Sequence, residues 1–323
     1  MKKVLSMVLC LLLLAGCGSD PGATDSTKLT AGLTYVPDIQ FAPFYVAQEK
    51  GFFADENLDV EIRHHGQSET LFGAIQSGTE DVIFAGGAEM IQARSEGVDI
   101  VNFATIYQHY PVVVIVPEDS EIQSVQDLRG KRVGLPGEYG ENWFGLLKML
   151  QEANMTRDDI EITSIGYTAQ AALPEGHVDA IIGFSNNDYV RFLNSGFPVR
   201  AIPLMTGEVP LVSVGLGTLQ ETLESERASI EALRRAIVRA IEDIKADPEG
   251  AVELSASFVP NLNTAEAKQA ALVTLNATIE LYGEGDSIAS QVSQNWQSTA
   301  VLLNDIGMLS AEVDVNEVFV TLK

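Results

Sequence analysis

Four histidines (His64, His65, His109 and His177) and two cysteines (Cys10 and Cys17) are the residues from which metal or nucleophile chemistry would have to be built in this chain. Neither set is spaced for it. His64 and His65 are adjacent, and successive side chains on an extended segment point to opposite faces, so the pair does not converge on one ion. A surface loop is the simpler reading of both. There is no G-x-S-x-G, no P-loop, no H-E-x-x-H and no dinucleotide fingerprint. The expectation is a protein without catalytic residues, metal or cofactor. Tyr107, Gln108, His109 and Tyr110 form one polar aromatic cluster, which suits an acid–base site or the wall of a cleft equally well.

The segments expected at strand ends share a different chemistry. They hold Tyr35, Gln40, Phe41, Glu89, Tyr107, Tyr139, Glu141, Asn142, Trp143, Tyr167, Asn186 and Asp188. Aromatic faces with a few fixed polar groups suit a flat, neutral, hydrogen-bonding heterocycle. Basic residues are scarce among them, which disfavours a phosphate or sulfonate ligand. Tyr35, Gln40, Phe41, Glu89, Tyr107, Tyr139, Asn142, Trp143, Tyr167 and Asn186 are the candidate ligand-binding residues.

The elements that must position them start from the stretch Gly32 to Phe53. A β-rich lead-in, Leu29 to Val36, meets Pro37, which cannot continue a central strand. Asp38, Ile39 and Gln40 make a loop, and Pro43 suits the first turn of a helix that Gly51 ends. Ligands of open α/β sheets sit outside the carboxyl ends of strands, at such a place. Further strands are expected at 58–63, 81–85, 100–106, 112–117, 131–135, 160–165, 180–184, 199–204 and 211–216. Helices lie between them, and helices alone follow Leu216, covering the first lobe. AIQSGTEDVIFAGG (Ala74 to Gly87) is echoed by ALPEGHVDAIIGFS (Ala172 to Ser185), each with glycine, two residues, then aspartate before a strand. A repeated helix-to-strand module predicts two α/β lobes of similar design. The chain should cross between them near 112–117 and again near 201–210.

An apolar content of 46% in 323 residues supports real cores, and a net charge of −25 opposes binding to nucleic acid or anionic lipid. Lys2 and Lys3 precede an apolar run, Val4 to Leu14, which is too short to span a bilayer. Leu14-Ala15-Gly16-Cys17 follows, and this resembles a bacterial lipoprotein signal. The resemblance implies a signal peptide at 1–16, lipid on Cys17, and anchoring on the outer face of the cell membrane. Residues 17–28, rich in Gly, Ser, Thr and Asp, read as a flexible tether. With Cys10 in the leader and Cys17 lipidated, the mature chain is expected to hold no disulfide.

TYVPDIQFAPFYVAQEKGFFADENLDVEI (Thr34 to Ile62), SGTEDVIFAGG (Ser77 to Gly87), IQSVQDLRGKRVGLPG (Ile122 to Gly137) and EGHVDAIIG (Glu175 to Gly183) together carry a family resemblance. The sequence resembles solute-binding lipoproteins of bacterial ABC importers, in the branch that binds thiamine pyrimidine precursors and riboflavin. The resemblance implies an α/β, two-lobed periplasmic-binding-protein fold of type II, with a ligand cleft between the lobes. It places residues 29–115 and 206–323 in lobe 1 and 116–205 in lobe 2. Pyrimidine-precursor binders typically carry tryptophan where Tyr35 stands and asparagine where Asp38 stands. YVPDIQFAPFYVA and YGENWFGL (Tyr139 to Leu146) look more like the riboflavin-binding members. The implied function is a monomeric receptor that hands riboflavin to a membrane permease. A thiamine pyrimidine precursor is the alternative ligand, and a pyrimidine-synthesis enzyme on the same fold the less favoured alternative.

Overall fold

Runs of β-branched residues closed off by glycine or proline become the strands, and two sheets of one plan result. The computed structural model describes residues 26–66, 69–205, 207 and 209–322. The expected signal segment and Cys17 lie outside the described residues. Strands β1 (Thr27–Leu33), β2 (Leu58–His64), β3 (Val82–Gly86), β4 (Ile100–Thr105) and β10 (Val214–Leu219) make one sheet, ordered β2-β1-β3-β10-β4. Strands β5 (Val112–Pro117), β6 (Arg132–Leu135), β7 (Glu161–Ser164), β8 (Ala180–Phe184) and β9 (Val199–Pro203) make the other, ordered β7-β6-β8-β5-β9. In the first sheet β1 runs parallel to β2 and β3, and β10 runs antiparallel to β3 and β4. In the second β6 runs parallel to β7 and β8, and β5 runs antiparallel to β8 and β9. Each antiparallel strand is the one that arrives from the other lobe.

The run Val112 to Val116 is almost wholly buried, with both strand partners in the second sheet. The first crossing is therefore 106–111, ahead of the expected 112–117, and the return lies at 204–213. The polar aromatic cluster Tyr107 to Tyr110 is thus a connection between lobes.

The echoed modules do the same job in both lobes. Asp81 Oδ2 accepts the N–H of Thr30 at 2.8 Å, while the Asp81 N–H donates to the Thr30 carbonyl. Asp179 Oδ2 accepts the N–H of Arg132 at 2.8 Å, and the Asp179 N–H donates to the Arg132 carbonyl. Each aspartate thereby fixes the start of its strand against the neighbouring parallel strand, β1 in one lobe and β6 in the other. Gly78 and Gly176 turn the chain out of the preceding helical segment at φ of 72° and 70°, a region that suits glycine.

The helices that matter here are α1 (Ala42–Glu49), α2 (Gly87–Ser95), α3 (Gly140–Glu152), α4 (Val190–Asn194), α5 (Arg227–Ala246), α6 (Pro248–Ser255), α7 (Ala265–Ile279) and α8 (Ser293–Asp305). In α5, Ile230, Leu233, Ile237, Ile241 and Ile244 recur at helical spacing and are buried in the first lobe's core. A short helix, Gln220–Ser225, precedes α5 and is separated from it at Glu226. The later helices do not cover the first lobe alone. Asn194 Nδ2 donates to the Ala270 carbonyl on α7, and Trp296 and Leu303 of α8 belong to the apolar cluster that fills the second lobe. Beyond the last helix, Asn102 exchanges backbone hydrogen bonds with Val318 and Val320, forming a parallel bridge opposite Phe319. That bridge lies after Leu216, where no strand is expected. No helix among the described residues is long and apolar enough to cross a membrane.

Candidate functional site

Four strand ends converge between the lobes. β1 runs out into Thr34 and Tyr35. Asp38 then caps the short turn Ile39–Phe41, its Oδ1 accepting the Gln40 N–H at 3.2 Å. β3 ends at Gly86, where α2 starts, and β6 leads through Pro136 and Tyr139 into α3. β8 runs into a π-helical turn, Ser185–Tyr189, ahead of α4. These ends enclose a cavity of about 190 Å³.

Of the ten candidate residues, the structure brings Tyr35, Gln40, Phe41, Glu89, Tyr107, Tyr139, Asn142 and Tyr167 to the cavity wall. Tyr35 of the first lobe meets Tyr167 of the second edge to face, with ring centroids 4.8 Å apart. Phe41 and Tyr107 each pack edge-on against Phe84, which also lines the cavity. Tyr139 and Tyr167 are exposed, while Phe41 and Tyr107 are buried.

Trp143 and Asn186 are not on that wall. One residue of an α-helix turns the side chain by about 100°, so Asn142 faces the cavity while Trp143 faces inward. Trp143 is buried in the second lobe's core, with the Arg157 guanidinium over its ring at 5.3 Å. Asn186 points to α7 and donates to Thr278 Oγ1 at 3.0 Å. Its neighbour Asn187 takes the cavity position, its Nδ2 lying 3.4 Å from Asp38 Oδ1 across the lobes. The wide π turn sets this phase, and alternation in the sequence does not reveal it. Phe84, Glu141, Gln170, Asp188 and Arg191 also line the cavity. Asp188 and Glu141 are among the residues expected at strand ends, and the spacing of Arg191, three after Asp188 at the start of a helix, is a signal that could have added it.

The polar part of the wall is mostly acceptor. Glu89 sits in the first turn of α2, and its Oε2 accepts the Gly86 N–H at 2.9 Å. Glu141, in the first turn of α3, reaches across the cleft to the Ala88 N–H at 3.4 Å. A side chain at Gly86 would overlap the Glu141 carboxylate, and one at Gly140 would press on Glu89 Oε1. The two glutamates therefore seat reciprocally over glycines of the opposite lobe. Burial pushes Glu89 up to about 7. Burial, and then the charge of Glu89, pushes Glu141 up to about 8. Burial raises Asp188 against the opposing pull of the Phe184 N–H and Arg191, and it raises Tyr35 to about 12. Tyr107 OH, Glu141 Oε2 and Asn142 Oδ1 are buried without a hydrogen bond. Arg191 is the one basic residue among the described lining residues.

The histidine pair departs from the surface loop expected of it. His64 bridges the Tyr35 carbonyl (3.0 Å) and the Tyr45 hydroxyl (2.9 Å), and burial lowers its pKa. His65 is buried, with Nε2 2.8 Å from Glu80 Oε1. His65, Glu69 and Glu80 lie close enough to share an ion. The Arg63 guanidinium already bridges both carboxylates there, so the positive charge is supplied by the chain.

Two α/β lobes with an aromatic, acceptor-rich cavity at their facing strand ends define a two-lobed solute-binding protein. The chain belongs to the NMT1/THI5 like family, whose model matches residues 38–251. It is 30% identical to the riboflavin-binding protein RibY of Chloroflexus aurantiacus over 90% of this chain and 84% of that one. It is 22% identical to the formylaminopyrimidine-binding protein of Halalkalibacterium halodurans, over 98% and 97% of the two chains. Among solved structures, it resembles the alkanesulfonate-binding protein SsuA of Xanthomonas axonopodis pv. citri bound to MOPS. That match has a TM-score of 0.72 at 18% identity and covers 93% and 100% of the two chains.

Two outcomes follow from this geometry. Trp143→Ala should remove about 3–5 kcal/mol of stability, as deletion of a buried indole does, and leave affinity of the folded fraction within about threefold of wild type. Denaturant melts paired with ligand titration check this, and a large affinity loss at unchanged stability would contradict it. The second outcome concerns pH. Glu89 and Glu141 hold protons in the folded state that the unfolded chain releases near 4.5. Their contribution is thus intact below that value and is lost as pH rises through about 7 and about 8. Relative to a Glu89→Gln/Glu141→Gln variant, wild type should lose on the order of 6 kcal/mol between about pH 5 and about pH 9. Thermal melts of the two proteins across that range measure the difference.

Proposed function

We propose that this chain is the extracytoplasmic receptor of an ABC importer, that its ligand is riboflavin, and that Cys17 anchors it to the membrane through lipid. The observation that carries the ligand is the make-up of the cavity: aromatic walls from both lobes, and three buried polar groups, Tyr107 OH, Glu141 Oε2 and Asn142 Oδ1, without a partner in the protein. An isoalloxazine ring is flat, apolar on both faces and edged by an imide N–H and carbonyls, and its ribityl chain is a row of hydroxyl donors. In this reading Tyr35, Phe41, Tyr139 and Tyr167 contact the ring faces. Gln40, Asn142, Tyr107 and Glu89 take edge and hydroxyl contacts. Trp143 and Asn186 act from behind the wall, one holding α3 and the other tying the π turn to α7. Similarity to RibY along nearly the whole chain supports the choice. The formylaminopyrimidine-binding relative, at lower identity, makes an aminopyrimidine the rival. The protein performs no reaction in this reading. It closes on a ligand and releases it to a permease, whose ATPase supplies the energy.

Riboflavin should lose fluorescence on addition of micromolar protein. Tyr167→Ala, at an exposed position, should weaken binding by about 1–3 kcal/mol without moving the melting temperature. Absence of quenching alongside calorimetric binding of an aminopyrimidine would replace the ligand and leave the receptor reading in place. For the anchor, Cys17→Ser should move the protein from the membrane fraction to the soluble fraction with affinity unchanged. Retention in the membrane fraction would refute lipidation.

A further inference from the structure

The cleft carries carboxyl groups of its own where a binding protein could hold an anionic ligand. A helix N-terminus offers free peptide N–H groups and the positive end of the dipole, which together favour a phosphate or other anion. Both α2 and α3 begin at the cavity. At α2, the Gly86 N–H is taken by Glu89 Oε2 at 2.9 Å, and the Ala88 N–H faces Glu141 Oε1 at 3.4 Å. The Glu141 carboxylate occupies the space beside Gly86 that a side chain would fill. At the mouth of the first lobe, the Gln40 N–H is taken by Asp38 Oδ1 at 3.2 Å. Arg191, the cation on the wall, follows Asp188 by three residues, and the two interact electrostatically. One acidic atom remains to be satisfied: Glu141 Oε2 is buried in the wall without a partner, on a residue only 5% exposed. It calls for a donor from the ligand and repels a second anion.

We propose that Glu89 and Glu141 make the cleft selective for the unphosphorylated ligand and reject its phosphate ester, because the chain's own carboxylates fill the N–H groups at the start of α2. This rests on the reading of the cavity as the ligand site, but not on which heterocycle fills it. Glu141 Oε2 then receives a ligand hydroxyl, imide or amine proton, and Glu89 supplies the adjoining negative field. A phosphate brought to either position would meet a buried carboxylate with no counter-ion of its own.

The test compares two alcohol and ester pairs on the full chain in detergent. Riboflavin and riboflavin 5′-phosphate are followed by flavin fluorescence. 4-Amino-5-hydroxymethyl-2-methylpyrimidine and its phosphate are followed by calorimetry. At about pH 8.5 a phosphate monoester is fully ionised and both glutamates are above their raised values of about 7 and about 8. In the pair whose alcohol binds, the ester should bind about thirtyfold or more weakly, as one close unscreened like-charge contact implies. Glu89→Gln/Glu141→Gln should shrink that ratio about tenfold, whereas Glu175→Gln, on the surface of the second lobe, should leave it unchanged. Should the double variant fail to melt cooperatively, Glu89→Gln alone, at the less buried position, should still narrow the ratio. An ester that binds as well as its alcohol, or a ratio that survives these substitutions, overturns the proposal. Selectivity seen with the pyrimidine pair and no flavin binding would overturn the riboflavin reading and uphold this one. Binding by neither pair would overturn both.

Discussion

Seating Glu141 of one lobe beside the start of α2 in the other constrains much else at the cleft. A carboxylate taken out of water costs free energy unless it is hydrogen-bonded or protonated. Here the cost is offset by the Ala88 N–H and by a proton held up to about 8. The contact requires a glycine at position 86, since any side chain there would occupy the carboxylate's place. It also requires α3 to enter the cleft by its N-terminus, with Tyr139 extended ahead of it. Glu89 then sits against Gly140 from the other side. This reciprocal seating joins the two lobes at the cleft and contributes two carboxyl groups to its wall.

The exchange of one strand per sheet ties the two lobes to each other and keeps them in register. β5 and β10 each cross from one lobe to pair antiparallel in the other. The connection at 106–111 places Tyr107 in the cavity wall and brings the Tyr110 hydroxyl to the Glu141 carbonyl at 3.1 Å. The connection between the lobes and the site therefore share a residue. A change in lobe angle must alter the wall, which is how ligand contact can be coupled to closure.

Aromatic residues divide by depth. Phe41, Phe84 and Tyr107 form an edge-to-face series that continues the first lobe's core into the wall. Tyr139 and Tyr167 stand in solvent at the second lobe's rim. Rings of the first kind are held in place by packing before any ligand arrives. Rings of the second kind can reorient, and ordering them consumes part of the gain from contact.

Read by itself, the sequence already determined the strands, the two-lobed plan and the family. Each rests on local chemistry: β-branched runs between glycine and proline, an aspartate before a strand in two echoed modules, and phrases such as FYVAQEKGFF. It also placed Tyr35, Gln40, Phe41 and Asn142 at strand ends, because ligand-facing loops follow from strand direction. Which of two neighbours faces the cavity was decided only by the tertiary structure. Asn142 and Trp143 differ by one helical step, and Asn186 and Asn187 by the phase of a π turn, so a local pattern cannot separate them. The seating of Glu141 beside Ala88, the burial of His65 against Glu80 and the bridge from Asn102 to the last residues were likewise beyond it. These contacts join positions far apart in the chain. Their charge states and burial come from the partner that packing supplies, which no window of sequence contains.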